Sequence, residues 1–163
     1  APSTRLEVSA SVRARVEQAL LVVEHDVPAR FWTSLGAEGL AALIAIVDDP
    51  ARPVGLRRRA TYAARHYPTA ASRTFLGAVA TSRGQDELIA RYAVLALGEA
   101  FGASALDELA RCMSDPRAMV REGAVVALGR LSRELRARVL LAAARDREPE
   151  AFVRAAIERA LAP

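Results

Sequence analysis

The chain has 163 residues, 52% of them apolar and only 5% aromatic, and a formal net charge of +4 in which every basic side chain other than histidine is arginine. That length fits one domain with a sizeable core, and an aromatic-poor composition rich in alanine, leucine and valine favours close-packed helices over a strand sandwich. The single cysteine, Cys112, excludes an internal disulfide and a cysteine-caged metal, and the modest basic balance falls short of the dense basic tracts that mark dedicated nucleic-acid binders.

Taken in chain order, Val12, Val16, Leu20 and Val23 predict a helix from about Ser11 to Glu24, followed by Pro28 and a short segment holding Phe31, Trp32 and Leu35. Residues 1–36 read as an N-terminal helical cap or degenerate repeat, with Phe31 and Trp32 covering the exposed end of the helices beyond it. Next comes an apolar stretch at helical spacing, Leu40, Leu43, Ile44 and Val47, closed by Asp49-Pro50. The pattern of a first stretch, a turn and a second stretch then recurs. First stretches carry Phe75, Leu76 and Val79; Leu106, Leu109, Cys112 and Met113; and Val139, Leu140 and Ala143. Asp115-Pro116 and Glu148-Pro149 repeat the turn, with the acid expected to cap a helix that starts on the proline. Pro68 is expected to stop one second-stretch helix, and Gly102 to supply a left-handed C-cap to another.

The second stretches align as Leu56–Ala64, Ile89–Leu97, Val120–Leu128 and Val153–Leu161, starting 33, 31 and 33 residues apart. In each, the residues at offsets 0, 4, 7 and 8 are apolar, which places one stripe on one side of a helix. Alanine at offset 7 in all four lets a neighbouring helix come close. A helix pair alone cannot bury both faces, whereas a row of pairs can. The fold expected is therefore all-α: a right-handed α–α superhelix of about four pairs, A then B, over 37–68, 69–102, 103–132 and 133–163. No apolar run escapes interruption by Arg, Asp or Glu long enough to cross a bilayer, so membrane insertion is not expected. Because the sequence opens on Ala1 and not Met, the compartment is read as cytoplasmic, or as periplasmic or secreted if Ala1 is a mature end.

The stretch Leu106–Gly129 (LDELARCMSDPRAMVREGAVVALG) resembles a HEAT-like repeat of the short bacterial kind, related to those of phycobilin lyases, and the resemblance extends over Leu40–Leu161. It implies a helical solenoid and leaves activity open, since HEAT-like proteins include scaffolds, regulators, lyase subunits and relatives of DNA glycosylases. It also implies a ladder in which Arg57, Arg121 and Arg154 pair with acids of neighbouring turns, drawn from Asp48, Asp49, Asp115 and Glu148. The second repeat departs from that pattern, with Ala90 where the ladder has arginine and Gly84 where the turn has an acid.

Opposite the apolar stripe, at offsets 2, 5, 6 and 9 of the B helices, lies the face expected to be the solenoid's inner surface. Val94, Leu95, Val125 and Val126 form its apolar centre, with Tyr62, Arg91, Glu122 and Arg159 as a polar rim. This is the arrangement of a groove that receives another protein, the alternative being packing between repeats. Arg57, Arg58 and Arg65 on the same side carry a second reading, a nucleic-acid or other polyanion contact. A third reading is an accessory subunit of a lyase-like enzyme, for which Glu122 and Glu158 are the only inner-face acids. His25 and His66 stand apart, without paired-histidine or His-Glu spacing, so no metal or other cofactor is expected. With no nucleophile-and-base constellation in sight, the expected function is a non-enzymatic protein-binding adaptor or scaffold. The sequence leaves the oligomeric state open.

Overall fold

The computed structural model describes residues 6–22 and 27–163, and all the regular secondary structure among them is helical. Val23, Glu24 and His25 lie outside the described residues. The first helix, α1, runs Ala10–Leu21, and Ser9 caps it by accepting the Val12 amide hydrogen on its hydroxyl. A short α2 (Ala29–Ser34) leads through Leu35 into α3 (Gly36–Asp48). The A helices are α3, α5 (Ala70–Thr81), α7 (Leu106–Cys112) and α9 (Leu135–Arg145). The B helices are α4 (Val54–Ala63), α6 (Glu87–Phe101), α8 (Ala118–Arg130) and α10 (Ala151–Leu161).

Each A helix packs on the B helix that follows it, and each B helix packs on the next, so that α4, α6, α8 and α10 form a continuous row. The apolar stripe explains this order. Ile89, Ala93, Ala96, Leu97, Val120, Ala124 and Leu128 have no exposed surface, and together with Leu43, Leu76, Leu109 and Leu141 from the A helices they make one core. Alanine and glycine set the spacing of the row. A methyl group added at Gly98 would lie 2.8 Å from Ala127 Cβ, and one added at Gly129 would lie 2.9 Å from Ala160 Cβ. Offset 9 of one B helix thus meets offset 7 of the next, and the backbones approach too closely for a side chain between them.

The turns differ from the expected caps. Asp115 does not cap a helix beginning on Pro116: α8 starts at Ala118, and the Asp115 carboxylate accepts the Arg117 amide hydrogen at 2.9 Å inside the turn. Asp49 and Glu148 do the same with Ala51 and Glu150, at 2.9 and 3.0 Å. The acid two residues before the amide closes a tight turn, which is the commoner use of Asp ahead of proline. Helix capping by an acid falls instead to Asp86, which accepts from Leu88 and Ile89 at the start of α6. Gly102 does end α6 with a positive φ of 53°.

The N-terminal segment packs on one end of the row. Trp32 is buried, meets Phe31 edge-on at 5.2 Å and stacks on His66 at 6.1 Å, while the Tyr67 hydroxyl donates to the Trp32 carbonyl at 2.7 Å. Ser9 donates to Glu38 at 2.8 Å and Arg52 to Glu17 at 2.6 Å, which fastens α1 to the first repeat.

The run Glu87–Cys112 is long and apolar enough by composition to span a bilayer, contrary to the reading that charges interrupt every such stretch. Gly102 breaks it, and α6 lies packed against α4, α5 and α8, so its apolar character is that of a core helix.

Candidate functional site: the B-helix face

The positions singled out from the sequence divide sharply in the structure. Val94 and Val125 have no exposed surface, Leu95 is buried and Val126 is half-buried. The expected apolar groove is therefore closed. Offset 5 on each B helix points at the neighbouring B helix, so in α6 and α8 the next helix covers it and the valines belong to the core. The same column begins with Thr61, also fully buried, whose hydroxyl donates to the Arg57 carbonyl at 2.9 Å, and ends with the exposed Glu158 of α10.

Tyr62, Arg91 and Glu122 of the rim share one face, and each is held by a neighbour there. Arg91 on α6 forms an ion pair with Glu122 on α8. The Arg91 and Arg58 guanidinium groups lie 5.4 and 5.3 Å from the centre of the Tyr92 ring. Tyr62 meets Tyr92 edge-on at 5.4 Å and donates its hydroxyl to Glu99, which also pairs with Arg65 at 3.0 Å and with Arg130. Burial and the Glu99 carboxylate hold the Tyr62 phenol above its ordinary range. Two straps therefore cross the face, one through Arg58, Tyr92, Arg91 and Glu122 and the other through Tyr62, Arg65, Glu99 and Arg130. Arg159 stands exposed on α10.

Tyr92, Glu99 and Arg130 were not among the residues expected from the sequence. They sit at offsets 3 and 10, beside the offsets 2, 6 and 9 that were read, and widening the stripe by one position on each side would have found them. The polyanion set does not converge. Arg57 turns away to the A–B turn, donating to the Val47 carbonyl at 2.9 Å and to Gln85 at 3.2 Å. Arg65 packs over the Tyr62 ring at 3.9 Å and pairs with Glu99, and Arg58 faces Tyr92. Of the two acids in the third reading, Glu122 is engaged by Arg91, while Glu158 points off the end of the row.

The arginine ladder exists on the turn side in part: Arg121 takes Glu148, one of the acids expected for it, whereas Arg57 and Arg154 bond to carbonyl groups. Arg121 grips Glu148 with two hydrogen bonds of 2.9 and 2.7 Å and its own turn through the Asp115 and Pro116 carbonyls. Arg154 holds the Glu148 and Pro149 carbonyls, both at 2.7 Å. Asp115 pairs with Arg117 and Asp49 with Arg52, so neither is a rung for the expected arginines. The interruption at Ala90 is bridged from the next repeat, where Arg117 donates to the Ala80, Ser82 and Gln85 carbonyls. Among the described residues no group of three or more His, Cys, Asp or Glu side chains is placed to share a metal ion.

The HEAT-repeat profile matches residues 75–162, more than half of the sequence. The chain belongs to the HEAT-repeat family. No curated protein matches it significantly. Among solved structures, this HEAT-repeat chain is similar to human deoxyhypusine hydroxylase in complex with glycerol, with a TM-score of 0.59 and 26% identity over 75% of this chain. It spans 42% of the hydroxylase's length. It is also similar in fold to a chain from the complex of CpcE and CpcF of phycocyanin lyase from Nostoc sp. PCC7120, with a TM-score of 0.66 and 19% identity over 91% of this chain and 99% of that one. These neighbours correct the expectation of a non-enzymatic protein, because one is an enzyme and the other a component of a lyase complex.

Proposed function

We infer that this HEAT-repeat chain is a protein-docking component of an enzyme or enzyme complex, and that it holds its protein partner on the B-helix face. The reading is supported by a fold shared along nearly the whole chain with one component of a two-protein lyase complex, and by the character of the face itself. That character is the observation on which the proposal rests. Tyr62, Tyr92, Arg58 and Arg91 are half-buried and held by ring contacts or ion pairs before any partner arrives. Tyrosine and arginine are the side chains that dominate binding energy at interfaces, and ordering them in advance removes much of the entropy cost of association. The contact is thus made by an aromatic and guanidinium surface, and the valines beneath it supply rigidity.

A photoreactive amino acid placed at Tyr92, and separately at Val139 on α9, which is exposed on a side of the chain away from the straps, tests this in the native host. The proposal expects an adduct of one defined mass from position 92 and none from position 139. Adducts from position 139 alone would move the docking surface to the A helices and overturn the reading.

A further inference from the structure

The B-helix face is fastened at two of its three steps and open at the last. From α4 to α6 the straps run through Arg58, Tyr62 and Arg65 to Tyr92 and Glu99, and from α6 to α8 through Arg91 and Glu99 to Glu122 and Arg130. From α8 to α10, among the described residues, no side-chain strap of this kind crosses the face. Ala155 occupies the offset that Arg58, Arg91 and Glu122 occupy on the earlier helices, so Glu122 has nothing to meet on α10. Arg130 turns back to Glu99. What remains between α8 and α10 is a cleft of about 360 Å³ whose floor is Val126, Gly129, Ala156 and Ala160 and whose walls carry Arg130 and Arg159.

The charges around this cleft do not cancel. Glu99 and Glu122, the acids nearest along the face, are already engaged by Arg130 with Arg65 and by Arg91 respectively. Glu158 stands one position earlier on α10, at the offset that points off the end of the row, and does not line the cleft. Arg159 is exposed and makes no ion pair among the described residues, and the Arg130 side chain is 53% exposed despite its hold on Glu99. A guanidinium fork is shaped to take a carboxylate through two parallel hydrogen bonds. The floor is apolar and made of small side chains, with room for an equally small apolar group and no aromatic platform for a base to stack on.

The geometry points to an acidic segment of a protein partner as the occupant: an extended stretch whose side-chain carboxylate sits between Arg159 and Arg130 while a small apolar neighbour covers Ala156 and Ala160. This deepens the docking role proposed above and rests on it. One uncompensated arginine with a shared second one matches a single carboxylate. A polyanion tract would need a run of free cations, and the remaining arginines of the straps are spent within the fold.

The test uses the full chain and a peptide of alternating glutamate and alanine carrying a neutral BODIPY label, acetylated and amidated so that only side-chain carboxylates are present, read by anisotropy at low ionic strength. The glutamate peptide should bind and its glutamine counterpart should not. Arg159→Glu should weaken binding about tenfold, the worth of one charge-assisted contact, with an unchanged thermal transition, whereas Arg138→Glu, the same charge reversal at an exposed position of α9, should leave it intact. An equal loss from Arg138→Glu, equal binding of the glutamine peptide, or binding only of a peptide with a free C-terminus or of inorganic phosphate would each overturn the assignment. If neither peptide binds while position 92 still captures its partner, the acidic-segment inference falls alone. If the peptide binds through Arg159 while position 92 captures nothing, the cleft stands and the wider docking reading falls.

Discussion

The α6–α8 step and the α8–α10 step share one register, since Gly98 meets Ala127 in the first as Gly129 meets Ala160 in the second. They differ in what stands at offsets 5 and 6 of the helix that completes each step: Val125, buried, and Val126, half-buried, on α8, against Glu158 and Arg159, both exposed, on α10. On α8 this pair lies where α10 packs, whereas among the described residues no further B helix packs against α10. In a solenoid, therefore, a helix has two buried sides, one toward its own A helix and one toward the B helix of the next repeat.

Charging offset 5 gives the largest effect. Val94→Asp or Val125→Asp places a carboxylate at a site with no exposed surface and no partner, which costs upward of about 4 kcal/mol out of the ~5 to 15 kcal/mol that holds a domain together. Both variants should lose their cooperative thermal transition, as followed by circular dichroism. Arg159→Asp, one column over on α10, should stay within about 0.5 kcal/mol of the parent chain. A folded Val94→Asp that melts normally would mean that α6 and α8 part readily and that the groove read from the sequence can open.

The shared register is broken by the next substitution. Gly98→Ala forces a methyl group to within 2.8 Å of Ala127 Cβ, which sits on a rigid helix and has no far end to swing away. Overpacking of this kind costs about 1 to 3 kcal/mol, roughly 2 to 12 °C in Tm for a chain of this length. Gly84→Ala, whose added methyl meets nothing within 4 Å, is the matched control and should not destabilise. Equal melting of the two would show that the B helices are not in contact at that height.

The architecture was legible because burying an apolar stripe is a local demand repeated four times, and the starts at Leu56, Ile89, Val120 and Val153 declare it. The burial of Trp32 was legible for the same reason: a large apolar side chain outside the repeat pattern has an end of the stack to cover. What the site does was less legible, and the cause is specific. Val94 and Val125 are apolar opposite the first stripe, and a single helix wheel cannot tell a second packing surface from a docking groove. Partner choice among charges was hidden too. Arg117 and Arg121 follow the same Asp115-Pro116 turn, yet Arg121 reaches forward to Glu148 and Arg117 back to the carbonyls of the repeat that lacks an arginine at Ala90. Charge type was readable, but the direction in which a long flexible side chain turns is decided by neighbours roughly thirty residues away.

The turn-side ladder sharpens the comparison by the smallest margin. Glu148, at the same α8–α10 step whose inner face is open, is buried and accepts both hydrogen bonds from Arg121; these contacts, only partly opposed by burial, hold its carboxyl below the usual glutamate range. A carboxyl whose pKa is lower folded than unfolded adds stability that is present above the ordinary glutamate pKa and is lost as the pH falls through the folded value. Glu148→Gln keeps the shape and one acceptor but replaces charge-assisted bonds with neutral ones, a difference of about 1 kcal/mol at neutral pH. Urea midpoints should therefore differ between the two proteins at pH 7 and converge as the solution is acidified past the glutamate range. Asp115 behaves in the same direction, because Arg117 more than offsets the upward push of burial, so the variant should keep part of the acid sensitivity. A gap between the two midpoints that stays constant into acid would mean that Glu148 is not ionised in the fold, and that the closed turn side of this step is held by packing and not by its rung.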